Sequence, residues 1–341
     1  MKAALLREKN KLELTDVKIP EIGAGEALVR VAYSGICGSD IHVWRGHHPT
    51  ATYPRIPGHE FSGVLEKFVG TPRDGLKTGD PVVVQPFWSC GLCEPCIRGM
   101  DNVCRELKVI GFHEDGCFAE YIRVPLKKIY RLPGNVDLRL GAITEPLSVA
   151  VHDVRRSGLM CGEKALITGG GPIGMLVALV AQHAGAADVY ISEINEYRLE
   201  FAKKLGIKTI NPLKTDLKEE TMRITRGKGF DVVYEASGSK PCISAVTDVV
   251  KSGGTILMIG MSSELHPLNL SAMFAKELTV KGVRLHAQQN FEGAIALLES
   301  GKLNEKLNMI IDNEFSLDDF VKAMNFQVED PNHFKVMIKI G

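Results

Sequence analysis

The feature that most constrains this chain is a regular alternation of short apolar runs and helix-length runs that begins near residue 145. KALIT (164–168) leads through GGGPIG into MLVALVAQHAG; DVYISE (188–193) leads into NEYRLEFAKKLG. DVVYEAS (231–237) precedes PCISAVTDVVKSG, and TILMIGM (255–261) and LTVKGV (278–283) continue the rhythm. Strands alternating with helices of this length predict a doubly wound α/β unit, a parallel sheet covered on both faces. The first 145 residues have another texture. ALVRVAY (27–33), GVLEKFV (63–69) and PVVVQPF (81–87) are β-prone runs punctuated by Gly, Pro and Asp. They predict a small barrel or sandwich carrying functional loops.

The whole chain, 341 residues, exceeds one ordinary core and suits two domains. Its tail holds an amphipathic helix, FEGAIALLESGKL (291–303), and ends on KVMIKIG, a strand free to return to the first domain. Lys plus Arg (41) balances Asp plus Glu (41), so nothing points to nucleic acid or an anionic membrane as partner. No run approaches the roughly 20 apolar residues of a membrane span. The opening MKAALLREKNKLELTD turns charged too soon for a signal peptide, and a cytoplasmic location is expected.

Gly169, Gly171 and Gly174 form GxGxxG directly after a strand and before a helix. Such glycines allow a tight turn and close approach of backbone to a pyrophosphate at the helix N-terminus. Glu193 ends the next strand; a carboxylate there accepts hydrogen bonds from both ribose hydroxyls and repels a 2′-phosphate, favouring NAD over NADP. Without the glycines it reads as a solvent-facing Glu. Gly170 occupies a position that the fingerprint leaves free and is expected to matter little.

Four of the eight cysteines crowd together as CxxCxxCx7C: Cys90, Cys93, Cys96 and Cys104. In a reducing compartment this spacing points to a metal rather than disulfides. Four thiolates on one tetrahedral zinc leave no open position, which makes the site structural. Iron–sulfur ligation also uses CxxCxxC, and a zinc-ribbon interaction module is a further reading, which the neutral charge disfavours. A second metal-competent set is Cys37, in GICGSDIH, with His59 and Glu60, in PGHEFSG. Three protein ligands leave a position for water or substrate, as catalytic zinc sites do. Taken singly, His59 reads as a hydrogen-bonded core residue and Cys37 as a buried thiol.

GICGSDIH, PGHEFSGV, the four-cysteine lobe, CFAEY, TEPLSVAVH and GGGPIG, in this order, closely resemble the zinc-containing medium-chain dehydrogenases over essentially the whole chain. The resemblance implies a GroES-like catalytic domain built from 1–147 and 286–341, with a structural-zinc lobe at 88–106, around a Rossmann domain at 148–285. It implies two zinc ions per chain and NAD. By the same resemblance Cys37 and His59 match catalytic zinc ligands, and Glu60 ligates the metal or lies close to it. Glu145 stands where many alcohol dehydrogenases have Cys and polyol or threonine dehydrogenase-like members have Glu. Ser39 matches the hydroxyl that takes the alcohol proton, and His42 the far end of that relay. Cofactor contacts map to Gly169, Gly171, Pro172, Ile173, Gly174, Glu193 and Arg198. One departure is GVLEKFVG, which runs one residue longer than the usual spacing to Gly and predicts a reshaped loop.

RGHHPTATYPR (45–55) and GFHEDGCFAEY (111–121) resemble members acting on aldonates such as galactonate or gulonate. The expected activity is oxidation of a secondary alcohol of a sugar acid or polyol to a ketone, with threonine dehydrogenase as the rival. A zinc-free quinone reductase of the same superfamily is disfavoured by Cys37, His59 and Glu145. A non-enzymatic protein that kept the fold is the remaining alternative. Candidate substrate contacts are Trp88, His113, Glu114 and Arg284; Arg284 reads equally well as a surface salt-bridge residue. His47 and His48 read as loop residues. A homodimer or homotetramer is expected, joined through the sheet edge near TILMIGM and LTVKGV.

Overall fold

A computed structural model describes residues 1–262 and 264–341. They divide into two compact units, Met1–Ser148 with Ala287–Gly341, and Val149–His286.

The first unit opens with an antiparallel hairpin, β1 (Lys2–Glu8) and β2 (Lys11–Asp16). Next come β3 (Glu26–Gly35), helix α1 (Gly38–Trp44), β4 (Glu60–Phe68), β5 (Pro81–Val84) and the short β6 (Phe87–Trp88). One-turn helix α2 (Glu94–Ile97) lies in the cysteine lobe, followed by β7 (Lys108–Val109), β8 (Tyr121–Pro125), β9 (Ile129–Arg131) and α3 (Leu138–Gly141). Helix α4 (Thr144–Ser157) carries the chain out of this unit.

The second unit is a strand–helix succession: β10 (Lys164–Thr168), α5 (Pro172–His183), β11 (Asp188–Ser192), α6 (Glu196–Lys204), β12 (Lys208–Ile210), α7 (Leu217–Thr225), β13 (Phe230–Glu235), α8 (Lys240–Val249), β14 (Val250–Met258), α9 (Leu270–Lys276) and β15 (Thr279–Gly282). The chain then returns to the first unit through α10 (Gln288–Glu299), α11 (Asn304–Ile310), β16 (Ile311–Ser316), α12 (Phe320–Glu329) and β17 (Lys335–Lys339).

In the second unit all six strands are parallel, in the order β12-β11-β10-β13-β14-β15. Their sequences explain this: Ala165, Leu166, Ile167, Val232, Val233, Ile256 and Leu257 are nearly inaccessible, as strands sandwiched between helices require. The chain builds outward from β10 through β11 and β12, then jumps to the other side of β10 with β13. GGGPIG leaves β10 at this reversal of direction, where open α/β sheets bind ligands. Two details escape the sequence pattern. The short β12 lies at one edge, and β14 begins at Val250 rather than 255, because a register shift around Gly253–Gly254 divides its ladder with β13.

In the first unit β3 is the hub, antiparallel to β4, β8 and β17. The terminal strand thus returns as expected, and Met337–Lys339 pairs with Gly35–Tyr33, immediately before Cys37. Buried Ala27, Val29, Val31, Leu65, Val82, Val84, Ile122 and Val124 fill the core. Interior side chains from several short strands make a rigid base from which 36–59 and 111–118 run as loops and α1.

Candidate metal centre and nucleotide site

Cys37 follows the end of β3 and is the N-cap residue of α1; His59 and Glu60 sit where the chain enters β4. β3 pairs with β4 in a register that places Gly35 opposite Glu60, so the two short motifs meet at one end of the sheet. Sγ of Cys37, a ring nitrogen of His59 and a carboxylate oxygen of Glu60 all lie within 4.8 Å of one another. His59 and Glu60 are buried. Asp40, fully buried in the first turn of α1, organises the set. One of its oxygens accepts the Cys37 N–H (2.9 Å); the other accepts the Gly58 N–H (3.2 Å) and lies 3.5 Å from His59 Nδ1. A carboxylate behind one ring nitrogen fixes the imidazole and leaves Nε2 for a metal. Ser39 Oγ donates to Cys37 Sγ at 3.1 Å. The Phe112 ring stands edge-on to His59, centroids 5.1 Å apart, and His48 lies against its other contact surface at 4.3 Å.

Behind Glu60 stands Lys335, the first residue of β17. Its Nζ donates to Glu60 Oε2 (2.7 Å) and Oε1 (2.9 Å), and to the Ile36 carbonyl (3.1 Å). Burial lifts the Glu60 carboxyl above its ordinary range; Lys335 opposes that shift and the charge of Glu145 adds to it. Burial also works against the Lys335 charge, but Glu60 and Cys37 hold its pKa above the usual lysine value. The two shifts point in opposite directions for the charged forms. The short bidentate contact decides between them, and the pair is ionised. Glu145 is buried in the first turn of α4 and is felt electrostatically here, yet it does not belong to the 4.8 Å set. Soft thiolate, imidazole and carboxylate with an oriented histidine fit zinc.

In the lobe, Cys90, Cys93, Cys96 and Cys104 bring four Sγ atoms within 4.8 Å of one another. The Sγ–Sγ separations are 3.4 Å (Cys93–Cys96), 3.5 Å (Cys90–Cys104) and 3.8 Å (Cys93–Cys104). A tetrahedral ion with Zn–S near 2.3 Å sets its thiolates about 3.8 Å apart. The thiols are too close together to enclose a multi-iron cluster. Backbone N–H groups of Cys90, Leu92, Cys93 and Glu106 point at Cys90 and Cys104 sulfurs, at 3.3–3.4 Å, as thiolates require. The Cys93 thiol is lowered to about 6, chiefly by the backbone at Arg105 and Cys96, while burial and the contact with Cys93 push its neighbour Cys96 up to about 12, so without metal the two share one proton.

At the sheet's switch point, Gly169 adopts φ 102° and a Cβ on Gly174 would lie 2.0 Å from the Gly169 carbonyl, so both need glycine. Glu193 is held by three backbone donors: Gly170 N–H on Oε2 (2.8 Å), Ile194 and Asn195 N–H on Oε1 (2.7 and 3.0 Å). A Cβ on Gly170 would lie 3.1–3.2 Å from the Glu193 side chain, a tight contact. Arg198, on the first turns of α6, lies 3.7 Å from Glu193 Oε2 and 4.0 Å from the Cβ direction of Gly171. Pro172 and Ile173 open α5, whose first amides lack partners within the helix.

Residues 23–134 match the alcohol dehydrogenase GroES-like domain, and residues 172–300 match the zinc-binding dehydrogenase domain. A 2-dehydro-3-deoxy-L-galactonate 5-dehydrogenase of Pseudoalteromonas atlantica is 41% identical over 93% of this chain and 92% of its own. The chain belongs to the zinc-binding dehydrogenases. An L-threonine 3-dehydrogenase of Escherichia coli is 34% identical, covering 94% of each chain. A zinc-binding dehydrogenase of Sinorhizobium meliloti 1021, solved bound to NADP, superposes with a TM-score of 0.92 at 32% identity, over 99% of this chain and 98% of that one.

In this dehydrogenase three of the expected substrate contacts, Trp88, His113 and Glu114, belong to the first unit. Trp88 and Glu114 line a hollow of about 440 Å³ with Lys18, Tyr121 and Arg123, which no residue of the metal cluster lines. His113 Nδ1 accepts the Val109 N–H (3.1 Å) and so braces its own loop. Arg284 is exposed and belongs to the second unit. The residues that sequence reasoning passed over are Asp40, Lys335 and Phe112. Asp40 was within reach, because it stands three residues after Cys37 in a quoted motif. Lys335 is almost 300 residues from Cys37, and no local pattern marks it.

Proposed function

We propose that this dehydrogenase oxidises a secondary hydroxyl of a sugar acid to the ketone, passing hydride to NAD. The convergence of Cys37, His59 and Glu60, with Asp40 and Lys335 behind them, carries the reading of the reaction class. The 41% identical sugar-acid relative supports the substrate class. Zinc held by these groups supplies a Lewis acid for the alcohol oxygen, and NAD supplies the hydride acceptor. Cys37, His59 and Glu60 hold the metal; Glu145 modulates its charge from outside the set. Asp40 fixes the His59 ring. Ser39 accepts the alcohol proton, and His42, three residues further along α1 and exposed, releases it to solvent.

Glu193, fixed by three N–H groups, binds the ribose hydroxyls and favours NAD, with Gly169, Gly171, Pro172, Ile173 and Gly174 against the pyrophosphate. The domains follow the two compact units, with catalytic metal and structural lobe in the first and nucleotide in the second. The enzyme works in the cytoplasm, where thiols stay reduced for metal; no described helix is long and apolar enough to cross a membrane. It assembles as a homodimer or homotetramer through β15, which pairs on one side only, near the exposed Leu270 and Phe274.

The test is NADH formation from aldonates and 2-keto-3-deoxy sugar acids, polyols and L-threonine, with and without a zinc chelator. A chelator-sensitive signal with a sugar acid is expected. A signal confined to threonine or a polyol would keep the chemistry and overturn the substrate class.

A further inference from the structure

Lys128 ends the turn between β8 and β9 and is 7% exposed. Its Nζ donates to Gln85 Oε1 at 2.7 Å and lies 5.6 Å from the Phe87 ring centroid. Among the described residues no carboxylate pairs with it, although nearly every other buried charge in this unit has a partner. Burial lowers its pKa, the Asp101 charge opposes that, and Lys127 and Arg73 add smaller downward pushes. A hidden ammonium that meets only an amide and a ring is costly, and such a group keeps unused donors. Gln85 Nε2, also buried, has no acceptor among the described residues either.

Lys128 is also among the residues lining a hollow of about 660 Å³. Arg73, Lys127 and Lys128 line it against a single acid, Asp101; Ser89 and Gln288 add neutral polar groups. Gln288 is the first residue of the twelve-residue helix α10, whose first turn carries no acid, so its positive end borders the same space. The Arg73 guanidinium lies over the Tyr130 ring, 4.4 Å from its centroid. Asp74 (3.4 Å) and Glu292 (3.5 Å) lean on that guanidinium from behind, and Gln288 Nε2 donates to Glu292 (3.0 Å). Asp74 and Glu292 thus answer the Arg73 charge, and Lys127 and Lys128 share the hollow with Asp101. None of these residues belongs to the metal cluster or the glycine-rich turn.

We propose that this hollow is a second ligand site that binds a phosphate group, with the Lys128 ammonium at its floor and Lys127 and Arg73 at its rim. A phosphate supplies acceptors for the donors that Lys128 leaves unused. A bound phosphate would join three segments that are distant in sequence, the turn before β9, the 70–73 loop and the start of α10, and would stabilise the unit by mass action.

The test uses full-length, zinc-loaded enzyme saturated with NADH, so that the pyrophosphate site is closed, at constant ionic strength. Inorganic phosphate and glycerol 3-phosphate are titrated by calorimetry and by thermal shift, with chloride as a monoanionic control. Saturable phosphate binding is expected, weakened at least about tenfold in both Lys127→Ala and Lys128→Met, and unchanged in the remote control Lys322→Ala. The melting temperature of Lys128→Met without phosphate reports the balance between removing a buried charge and leaving Gln85 Oε1 without its donor. A tighter glycerol 3-phosphate arm assigns a phosphate monoester as the ligand; equal affinities assign the free ion. Absence of saturable binding in the parent overturns the proposal. Equal affinity in the parent and Lys127→Ala does so too, even if Lys128→Met fails to fold, because the exposed Lys127 is then not part of any site.

Discussion

Lys335→Met tests the least expected feature of the metal centre. The two side chains of the Lys335–Glu60 pair are only 4% and 2% exposed, and three N–H···O contacts of 2.7–3.1 Å hold the ammonium. Methionine keeps the length of the stem, so little of the effect comes from a cavity. It leaves the Glu60 carboxylate buried without its counterion, a loss of about 3–5 kcal/mol for pairs of this kind. A zinc ion beside Glu60 offsets part of it, which puts the holoenzyme near the lower figure of about 3 kcal/mol. At roughly 2–4 °C per kcal/mol for a unit of this size, the expected fall in Tm is about 6–12 °C. Both tryptophans, Trp44 and Trp88, lie in the first unit, so intrinsic fluorescence follows the melting of that unit alone. The double variant Glu60→Gln with Lys335→Met removes the stranded charge and should recover most of the loss. A single variant that melts within about 2 °C of the parent, or a double variant no better than the single, would refute the ion-pair account.

Four other outcomes follow from the same geometry. Ser39→Ala should lower kcat by about 10²–10⁴ at neutral pH, with partial recovery at high pH where solvent takes the proton; an unchanged pH–rate profile rules out a relay through Ser39. Cys93→Ser should reduce bound zinc from two ions to one per chain and lower the melting temperature of the first unit, and elemental analysis with two ions retained would remove the lobe assignment. Glu193→Ser should raise KM for NAD by about tenfold, by loss of ribose hydrogen bonds, and narrow the preference over NADP; identical coenzyme ratios in variant and parent would count against Glu193 as the discriminator. Asp153, fully buried with neither oxygen partnered among the described residues, has its pKa pushed well up by burial. Its folded value exceeds its unfolded value, so its contribution falls as pH rises above the unfolded value near 4. Asp153→Asn should therefore melt higher than the parent at pH 8 and close to it at pH 4, and a pH-independent difference would contradict the reading.

What was legible in the sequence was whatever is encoded locally. The β10–α5 turn is written in adjacent glycines, the four-cysteine lobe lies within fifteen residues, and GICGSDIH and PGHEFSG each carry their own ligands. The strands of the parallel sheet were legible too, since burial on both faces demands continuous apolar runs such as KALIT and DVVYE. Three things were not. β12 is three residues at a sheet edge, too short for a period to register. The Gly170–Glu193 contact is a packing fact, visible only when β10 and β11 are set side by side. The surroundings of the expected substrate contacts were not legible either: Trp88 ends the two-residue β6, Glu114 lies in a loop, and the two line one hollow.

Lys335 shows why the last kind of gap is physical rather than a matter of effort. The hydrophobic pattern of KVMIKIG specifies a strand, and alternation says which residues share a face. It does not say which strand becomes its neighbour. Pairing with β3 in the observed register, Met337 opposite Gly35, brings the start of the strand to the place where β3 turns into the Cys37 loop. There a long cationic side chain meets a carboxylate that is costly to bury alone. Neither residue is stable in that position without the other, so the final strand and the metal-binding loop stabilise each other. On this view, loss of the C-terminal strand should weaken zinc binding at Cys37, His59 and Glu60 before it affects the four-cysteine lobe, whose ligands all come from one short segment.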